Sequence, residues 1–565
     1  MFSIRKFGAI GRTYRHVHRY HRILRVLFKY GFEDLVERLH LDQYFASGLQ
    51  VINRKPREQI TRFTRPERLR LVFEELGPTF IKLGQLLSTR PDLIPPAYLD
   101  ELTKLQDSIP AFATEEVEAI FLDELGVTPE DFFHSFTSEP LAAASIGQVH
   151  RARLESGEEV VVKVRRPGIE QIITVDLEIL SHLAGLMEQY LEEGQGHRPT
   201  GIVKEFSRGL SREIDFNNEL AHMQRFSRQF AGNRHIHVPK VYPLLSTERI
   251  LVMEYVDGVK CSHIEQLKEM HCDLPLVAKR GANLVMEQIF VHGFFHADPH
   301  PGNIFILPGN VISFIDFGQI GRLSLRDREL FSQLVLSLVS GNEQAIIAGI
   351  LKVTLQQGEV DTELLSRDIA GFMDLYLYRP LGEIKAAKLL QELLHLLTRH
   401  KLSFKPSMYM MMKALSTVEG VGLMLDPDLQ LILLAKPFMR KIQLDRMHPR
   451  RLADDLADTG GAYARLVRGM PDELLSILKR LRSGAMQFEC KHQGLQSLGT
   501  ALDRASNRIA CSIVLAALII GSSLIVLSNI PPRWHGIPLI GIVGFLAAGI
   551  MGFWLLVSII RQGRM

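Results

Sequence analysis

The chain has 565 residues, enough for several domains with buried cores, and a formal net charge of +3. So small a charge provides no overall attraction to nucleic acid, and we expect no nucleic-acid partner. The cysteines show no metal-ligand spacing and indicate ordinary reduced thiols, which excludes a disulfide framework or a cysteine-based zinc site. They are Cys261, Cys272, Cys490 and Cys511.

Residues 1–32 contain no acidic side chain but are rich in Arg and Lys. Their apolar residues follow the spacing of one helix face; they are Val17, Tyr20, Leu24, Leu27 and Phe28. A basic amphipathic helix can lie on an anionic membrane surface, and a helix packed on the protein body gives the same pattern, so both interpretations stay open. The stretch has no apolar segment typical of a secretory signal, and its single serine argues against a mitochondrial transit peptide.

A predicted helix after Gly77-Pro78 carries Lys82 and Gln85 on one otherwise apolar face. A polar pair on an apolar face needs polar partners where the helix docks. The alternative interpretation is a lysine whose stem lies along the helix edge while its ammonium group stays in water.

A loop of small residues precedes two predicted antiparallel strands, which a Ser-Gly turn connects. Lys163 lies on the second strand, after three valines. This order is typical of the first lobe of a protein kinase, in which the strand lysine contacts the α- and β-phosphates of ATP. Such a lysine needs an acidic partner on a nearby helix. The segment 211–220 offers Glu213, Asp215 and Glu219.

A further predicted strand at 248–255 runs into Val256-Asp257-Gly258. Its place in the chain suits the hinge between two kinase lobes. Backbone groups of such a hinge, here those of Glu254 and Val256, can bind adenine.

The segment 294–318 contains the polar residues that phosphoryl transfer requires. Asp298 and Asn303 lie in one loop, and Asp316 follows a second apolar run, directly before Phe-Gly. One carboxylate can orient the acceptor hydroxyl, while the Asn and the second carboxylate can hold Mg²⁺ against the phosphates of ATP. Two short strands around a Pro-Gly-Asn turn at 308–310 should place Asn303 and Asp316 at adjacent strand ends.

Two charge-free runs, Ile509–Leu527 and Leu539–Ile560, are each about long enough to cross ~30 Å of hydrocarbon. The link between them contains Pro531 and Pro532, so we predict a transmembrane hairpin. Arginines flank both ends, which places the termini and the catalytic domain in the cytoplasm. Small residues recur every four positions and predict close helix contacts, within the hairpin or in a homodimer. They are Ala517, Gly521, Gly544, Ala548 and Gly552.

Together these motifs resemble the AarF/UbiB family of atypical kinases, over residues 30–440 and the paired C-terminal helices. The resemblance implies ATP and Mg²⁺ as cofactors. The cofactor-binding residues would be Ala142, Ala143, Ala144, Ser145, Ile146, Gly147, Val149, Lys163, Glu219, Glu254 and Val256. Metal ligands would be Asn303, Asp316, Glu213 and Asp215. Asp298, Lys82 and Gln85 would serve catalysis, because in this family the Lys-x-Gly-Gln helix lies over the active site and its lysine meets the Glu-x-Asp acids.

We therefore expect an α+β fold, with a bilobal protein-kinase-like body, an N-terminal helical extension and two C-terminal transmembrane helices. The predicted parts follow one another along the chain. They are a basic amphipathic segment (1–32), a helical extension (33–135), an N-lobe with a helical insertion (136–257), a C-lobe (258–440), a charged helical linker (441–505) and the hairpin (506–565).

The resemblance implies a membrane-anchored kinase or ATPase of the bacterial inner membrane that supports ubiquinone biosynthesis. Its expected partners are membrane lipids, polyprenyl quinone precursors and quinone-biosynthetic enzymes. Ala297 stands where protein kinases have Arg, and no Ala-Pro-Glu motif follows Asp316, so peptide phosphorylation is not expected. Two alternatives stay open: a small-molecule kinase of the choline or aminoglycoside type, and a nucleotide-switched scaffold or lipid chaperone.

Overall fold

A computed structural model describes residues 4–39, 62–88, 90, 93–105, 110–191, 198–356, 360–376, 386–446, 495–528, 530–534 and 537–562. The chain forms two compact units, Met1–Asp454 and Asp455–Met565, and each is described by itself. Most of the predicted charged linker, 441–505, lies outside the described residues.

The described residues before the first strand are mainly helical. The helices are α1 (Ile4–Lys29), α2 (Glu33–Arg38), α3 (Arg65–Leu76), α4 (Pro78–Ser88), α5 (Pro96–Leu102), α6 (Thr114–Leu125) and α7 (Pro129–Phe132). Thr64 and Glu67 form a reciprocal capping box at the start of α3. Gly77 ends this helix with a φ of 97°, which a side chain would strain, and so turns the chain directly into α4.

An antiparallel five-stranded sheet forms the first lobe. Its strands are β1 (Ser135–Phe136), β2 (Ala142–Ala143), β3 (Gly147–Arg153), β4 (Glu159–Arg165) and β6 (Ile250–Glu254), in the order β1-β3-β4-β6 with β2 on β3. Between β4 and β6 come α8 (Ile169–Tyr190), α9 (Pro199–Glu213), α10 (Phe216–Gln229) and β5 (Ile236–His237). The predicted helical insertion is thus present, and the valines of β4 are buried in the lobe core.

Part of α1 packs on this body. Ile23, Leu24 and Val26 are buried. The Arg19 guanidinium donates to both carboxylate oxygens of Asp176 in α8 (2.6 and 2.8 Å) and to the Leu76 carbonyl. The Asp176 side chain has no exposed surface, so this ion pair is desolvated. Of the two interpretations of the basic N-terminal segment, these contacts support for residues 16–29 a helix that packs on the protein body.

The second lobe begins with a small sheet in the order β5-β10-β9-β7. Its first elements are β7 (Val259–Lys260), α11 (Ile264–Glu269), α12 (Leu274–Met286), β8 (Phe294–His296), β9 (Ile304–Leu307), β10 (Val311–Phe314) and β11 (Ile320–Arg322). A π-helical turn, Glu287–His292, continues α12. The predicted hairpin around 308–310 is confirmed, because β9 and β10 pair antiparallel on either side of it.

Helices complete this lobe. They are α13 (Leu325–Ser340), α14 (Glu343–Val353), α15 (Thr362–Tyr376), α16 (Ala386–Arg399), α17 (Pro406–Leu425) and α18 (Leu431–Arg446), with β12 (Thr354–Gln356) paired to β13 (Leu402–Phe404). In α17 most side chains are buried, so this helix forms the centre of the helical part.

The second unit contains α19 (Leu495–Ser528), β14 (Arg533–Trp534), β15 (Ile537–Pro538) and α20 (Leu539–Gln562). Among the described residues one helix is long and apolar enough to cross a membrane, the Ala505–Ser528 part of α19, with a mean hydropathy of 2.6. Among the residues whose side chains the structure describes, the apolar part of α20 is shorter, Leu539–Leu555. One of the two predicted spans is therefore matched by a helix of sufficient length within these residues, and the second span stays a prediction.

The small residues of α20 pack inside this unit. A Cβ atom added to Gly544 would lie 2.1 Å from the Ser522 hydroxyl of α19, and Ala548 is buried. A Cβ atom on Gly521 would meet nothing within 4 Å. The α20 stripe thus joins the two helices of one hairpin, while homodimer formation stays a prediction.

Candidate active site

The β9–β10 hairpin brings Asn303 and Asp316 together. Asn303 immediately precedes β9 and Asp316 follows β10, and the Ile315 N–H donates to the Asn303 carbonyl (3.1 Å). The Gly318 N–H donates to Asp316 Oδ1 (3.0 Å) and orients the carboxylate. The side chain of Asp316 is 47% exposed, so its oxygens can reach a ligand from solvent. The predicted placement at adjacent strand ends is confirmed.

His296 ties the two loops of the site to each other. Its ring is buried; Nδ1 accepts from the Asp298 N–H (3.2 Å), and Nε2 donates to the Asp316 carbonyl. Burial lowers the pKa of His296, which favours the neutral ring that this hydrogen-bond pattern requires. The backbones that bear the two aspartates are therefore fixed by one neutral imidazole.

Lys163 is the centre of charge in the site. Its ammonium lies 2.8 Å from Glu219 Oε2 and 3.8 Å from Asp316 Oδ1, and the Phe317 N–H donates to the other Glu219 oxygen (3.3 Å). The register places Lys163 opposite Val149 on β3, so the two predicted nucleotide-binding residues share one face of the sheet. Of the three acids offered by the sequence, Glu219 is the partner of this lysine.

Opposite charges outweigh burial for Lys163 and Asp316, whereas burial dominates for Glu219 and raises the pKa of its carboxyl. Burial alone lowers the pKa of Lys163, but the carboxylates of Glu219 and Asp316 outweigh it and hold the pKa well above its usual range. The partial desolvation of Asp316 raises its pKa, yet the Lys163 ammonium and the Gly318 N–H together hold the pKa well below its usual range. Asp316 is consequently an ionised oxygen donor, the kind of ligand that Mg²⁺ prefers.

The predicted nucleotide loop is a tight turn between β2 and β3. The Ala144 N–H donates to the Gly147 carbonyl (2.8 Å), and Ser145 and Ile146 are buried, whereas Ala142 and Ala144 are exposed. A Cβ atom on Gly147 would lie 2.4 Å from the Val164 carbonyl oxygen, so only glycine allows the strands to approach at this point. The loop is thus held against the strand that carries Lys163.

We predict that Gly147→Ala separates β3 from β4, lowers the free energy of unfolding by about 1–3 kcal/mol and weakens ATP binding. Calorimetry and ATP titration measure the two effects. Gly209→Ala is the matched control, because Gly209 lies inside α9 and an added Cβ atom would meet nothing within 4 Å there. There alanine should leave ATP binding unchanged and stabilise the helix by up to ~1 kcal/mol. Equal behaviour of the two variants would contradict the prediction.

The Lys82 ammonium of α4 pairs with Glu213 Oε1 at the end of α9 (2.6 Å), and both side chains are largely buried. The Lys82 charge also helps to lower the pKa of Asp316. Gln85 Nε2 donates to the Leu105 carbonyl (3.5 Å). Lys82 therefore has the polar partner that a lysine on an apolar helix face requires, and this partner is Glu213. The interpretation of a covering helix predicts such a partner.

The Glu-x-Asp acids do not gather with Asp316 into one metal site. In the described part of the chain no three acidic, His or Cys side chains converge at metal-binding distance. Asp215 instead caps α10, accepting from the Asn217 N–H (3.0 Å) and the Asn218 side-chain amide (3.2 Å). Glu213 is held by Lys82. A metal role for these two acids stays a prediction.

The predicted hinge follows β6. The Glu254 carboxylate accepts from His237 Nε2 and from the Lys240 N–H (both 2.9 Å), which fastens the end of β6 to the chain that leads out of β5. The Val256 carbonyl accepts from the Gly258 N–H (3.1 Å) and closes a turn. The side chain of Glu254 thus has a structural partner, while adenine binding by the backbone stays a prediction.

Sequence reasoning missed one residue of the site. The ammonium of Lys413, on α17, lies 3.0 Å from Asp298 Oδ2. No local motif marks Lys413, because it stands among buried apolar residues of a helix far along the chain. The available signal was that Lys413 interrupts an apolar run and has no acidic residue four positions away in the helix, so its partner had to come from another segment.

Comparison with known proteins confirms the predicted family. A model of the ABC1 atypical kinase-like domain matches residues 104–349, the UbiB helical domain matches 369–430, and the ABC1/UbiB kinase-like C-terminal domain matches 493–561. The Probable protein kinase UbiB of Pseudomonas entomophila is 32% identical over 86% of this chain and 92% of its own length. The chain belongs to the ABC1/UbiB family of atypical kinase-like proteins.

Other relatives extend the similarity over nearly the whole chain. The Probable protein kinase UbiB of Aliivibrio fischeri is 31% identical over 91% of this chain and 94% of its own length. An uncharacterized protein from the hydrogenase 1 5′ region of Clostridium pasteurianum is 32% identical over 97% of this chain and all of its own. In ABC1/UbiB terms, Lys163, Glu219 and Asp298 lie within the kinase-like domain, whereas Lys413 lies within the UbiB helical domain.

Proposed function

We propose that this protein is a membrane-anchored, Mg-ATP-dependent atypical kinase or ATPase that supports ubiquinone biosynthesis. The observation that carries the proposal is the convergence of Lys163, Glu219 and Asp316, with Asn303 at the neighbouring strand end. A lysine between a buried Glu and a half-exposed Asp, with an Asn at the neighbouring strand end, has the charges and donors that a metal–triphosphate complex needs.

Each residue has a distinct task in this proposal. Lys163, oriented by Glu219, binds the α- and β-phosphates, and Asn303 and Asp316 hold Mg²⁺ through their oxygens. Bound Mg²⁺ supplies neutralisation of phosphate charge. Asp298 orients the acceptor hydroxyl or water and takes its proton, since it lies in the loop that His296 fixes to Asp316.

The acceptor we propose is lipid-linked or belongs to membrane-bound enzymes of the quinone pathway. The relatives named UbiB and the apolar helix in α19 support a place at the bacterial inner membrane, with the catalytic unit in the cytoplasm. The polar link from Lys82 to Glu213 supports a helix that covers the site and so disfavours extended peptides.

Quinone profiling tests the pathway and the catalysis together. A strain that lacks this protein is complemented with the wild type, with Asp316→Asn or with an empty vector. We expect ubiquinone to return only with the wild type. A return with Asp316→Asn would favour the scaffold alternative, and a normal quinone level with the empty vector would remove the protein from the pathway.

We also predict that Lys82→Ala raises autophosphorylation several-fold, because loss of the Glu213 ion pair releases the covering helix from α9. Incorporation of ³²P from labelled ATP measures it. Lys104→Ala serves as control, since Lys104 lies in the same extension but pairs with Glu101 at the surface. An unchanged level in Lys82→Ala, equal to that of the control, would refute the covering role.

A further inference from the structure

We propose that Lys413 is a positioning residue for phosphoryl transfer, which holds the Asp298 carboxylate in its working orientation from the UbiB helical domain. This inference rests on the proposed function of the site. It assigns a part of the catalytic apparatus to α17, outside the kinase-like domain that contains Lys163, Asp298 and Asp316.

The ion pair is close and partly desolvated. Lys413 Nζ lies 3.0 Å from Asp298 Oδ2, and each side chain is 28% exposed. The charges therefore interact in a medium less polar than water, where a pair of this kind restrains a carboxylate more than a surface pair does. The remaining exposure leaves part of the Asp298 side chain open to an acceptor.

The catalytic loop has no cation of its own. Between Asp298 and Asn303 the sequence is Pro-His-Pro-Gly, and the ring of His300 is turned back on this loop, where its Nδ1 accepts from the Gly302 N–H (3.1 Å). The two other lysines of the site already have carboxylate partners: Lys163 pairs with Glu219 and Lys82 with Glu213. Lys413 is thus the cation placed to neutralise Asp298.

Helix α17 is a rigid support for this lysine. The side chains on both sides of it along the chain, Met411, Met412, Ala414 and Leu415, are buried in the core. One turn earlier the ring of Tyr409 is buried and carries the Arg90 guanidinium 4.7 Å from its centroid. Residues locked by packing on both sides are suited to holding a reacting group in place.

Phosphoryl transfer explains why the Asp298 carboxylate would need to be held in one orientation. As the acceptor oxygen bonds to the γ-phosphorus, its proton passes to Asp298, and the bond from that phosphorus to the bridging oxygen breaks, its electron pair leaving with ADP. Asp298 must face the acceptor for this step, although Lys163 and the metal ion compete for carboxylates nearby. Engaging Oδ2 with Lys413 leaves Oδ1 directed to the acceptor.

The same ion pair could instead serve only to anchor α17. A purely structural role predicts a loss of stability, with ATP turnover following the folded fraction. A positioning role predicts a lower kcat with unchanged ATP binding, because Asp298 acts on the transferred group while Lys163, Asn303 and Asp316 bind the nucleotide.

The experiment compares Lys413→Met, Lys413→Arg and Lys405→Met in the full-length protein in detergent or nanodiscs. Methionine keeps the apolar stem and removes the charge. Lys405 is the matched control, since it stands at the start of the same helix and pairs with Asp327 at 2.7 Å, away from Asp298. Steady-state Mg-ATP turnover gives kcat and KM, and calorimetry gives the folded fraction.

We expect Lys413→Met to lower kcat by about 10- to 100-fold with KM for ATP within about twofold, Lys413→Arg to restore most of kcat, and Lys405→Met to turn over ATP like the wild type. Equal kcat in Lys413→Met and Lys405→Met, with a wild type that turns over ATP, overturns the positioning role alone. A properly folded wild type without Mg-dependent turnover overturns the proposed function and this inference together.

Discussion

Replacing Asp316 by Asn is expected to lower Mg-dependent ATP turnover by at least about 10²-fold. Asparagine preserves the shape and the hydrogen bond from the Gly318 N–H but removes the negative charge, which is the property that binds Mg²⁺. Turnover is measured as phosphate release at saturating ATP with titrated Mg²⁺. A raised Mg²⁺ requirement should accompany the loss.

Asp327→Asn is the control for this change. Asp327 is also a partly exposed aspartate that pairs with a lysine, Lys405, but it lies in the first turn of α13, outside the site, where it accepts from the Ser324 hydroxyl. Its replacement should affect stability by about 1 kcal/mol and leave kcat unchanged. If Asp316→Asn retained full turnover while folding normally, the assignment of Asp316 as a metal ligand would be wrong.

Replacing Lys163 by Met is expected to abolish ATP binding and to lower the free energy of unfolding of the catalytic unit by about 3 kcal/mol. Stability should fall because the substitution leaves the buried Glu219 carboxylate without its cationic partner. The side chain of Glu219 is only 5% exposed and would face Asp316 without the ammonium that now separates them. Differential scanning calorimetry, with and without Mg-ATP, measures both effects, because a bound nucleotide raises the unfolding temperature.

A double variant separates the two effects. Lys163→Met with Glu219→Gln removes the buried carboxylate as well, so most of the lost stability should return while ATP binding stays absent. Lys240→Met is the control in the same lobe, since its pair with Glu158 is largely exposed and should contribute little to stability. A double variant as unstable as Lys163→Met would show that the loss arises from packing rather than from the unpaired charge.

Local patterns were sufficient to predict much of the catalytic body. The hairpin that aligns Asn303 with Asp316 follows from two apolar runs around a Pro-Gly-Asn turn, where Gly309 and Asn310 both adopt positive φ. The β4 strand and its lysine follow from a valine run after a Ser-Gly turn. These are short-range signals, in which the residues that determine the geometry are close in sequence.

Contacts between distant segments could not be predicted in this way. The choice of Glu219 over Glu213 and Asp215 came from the family resemblance and not from local pattern, because it depends on how α9 and α10 dock on the sheet. The Lys413–Asp298 pair depends on the position of α17. The metal role of Asp215 stays a prediction, and a local signal for a second role was also present. An aspartate directly before a helix is also the usual N-cap, and the cap is what the structure contains.

The pair between Arg19 and Asp176 has a consequence for proteolytic processing. A cut that released the segment with Arg19 would withdraw the guanidinium that neutralises a fully buried carboxylate, an uncompensated charge that costs about 3–5 kcal/mol. It would also expose the apolar surface that Ile23, Leu24 and Val26 now cover. A stretch whose composition resembles a targeting peptide therefore contributes a buried ion pair and core contacts to the kinase-like unit.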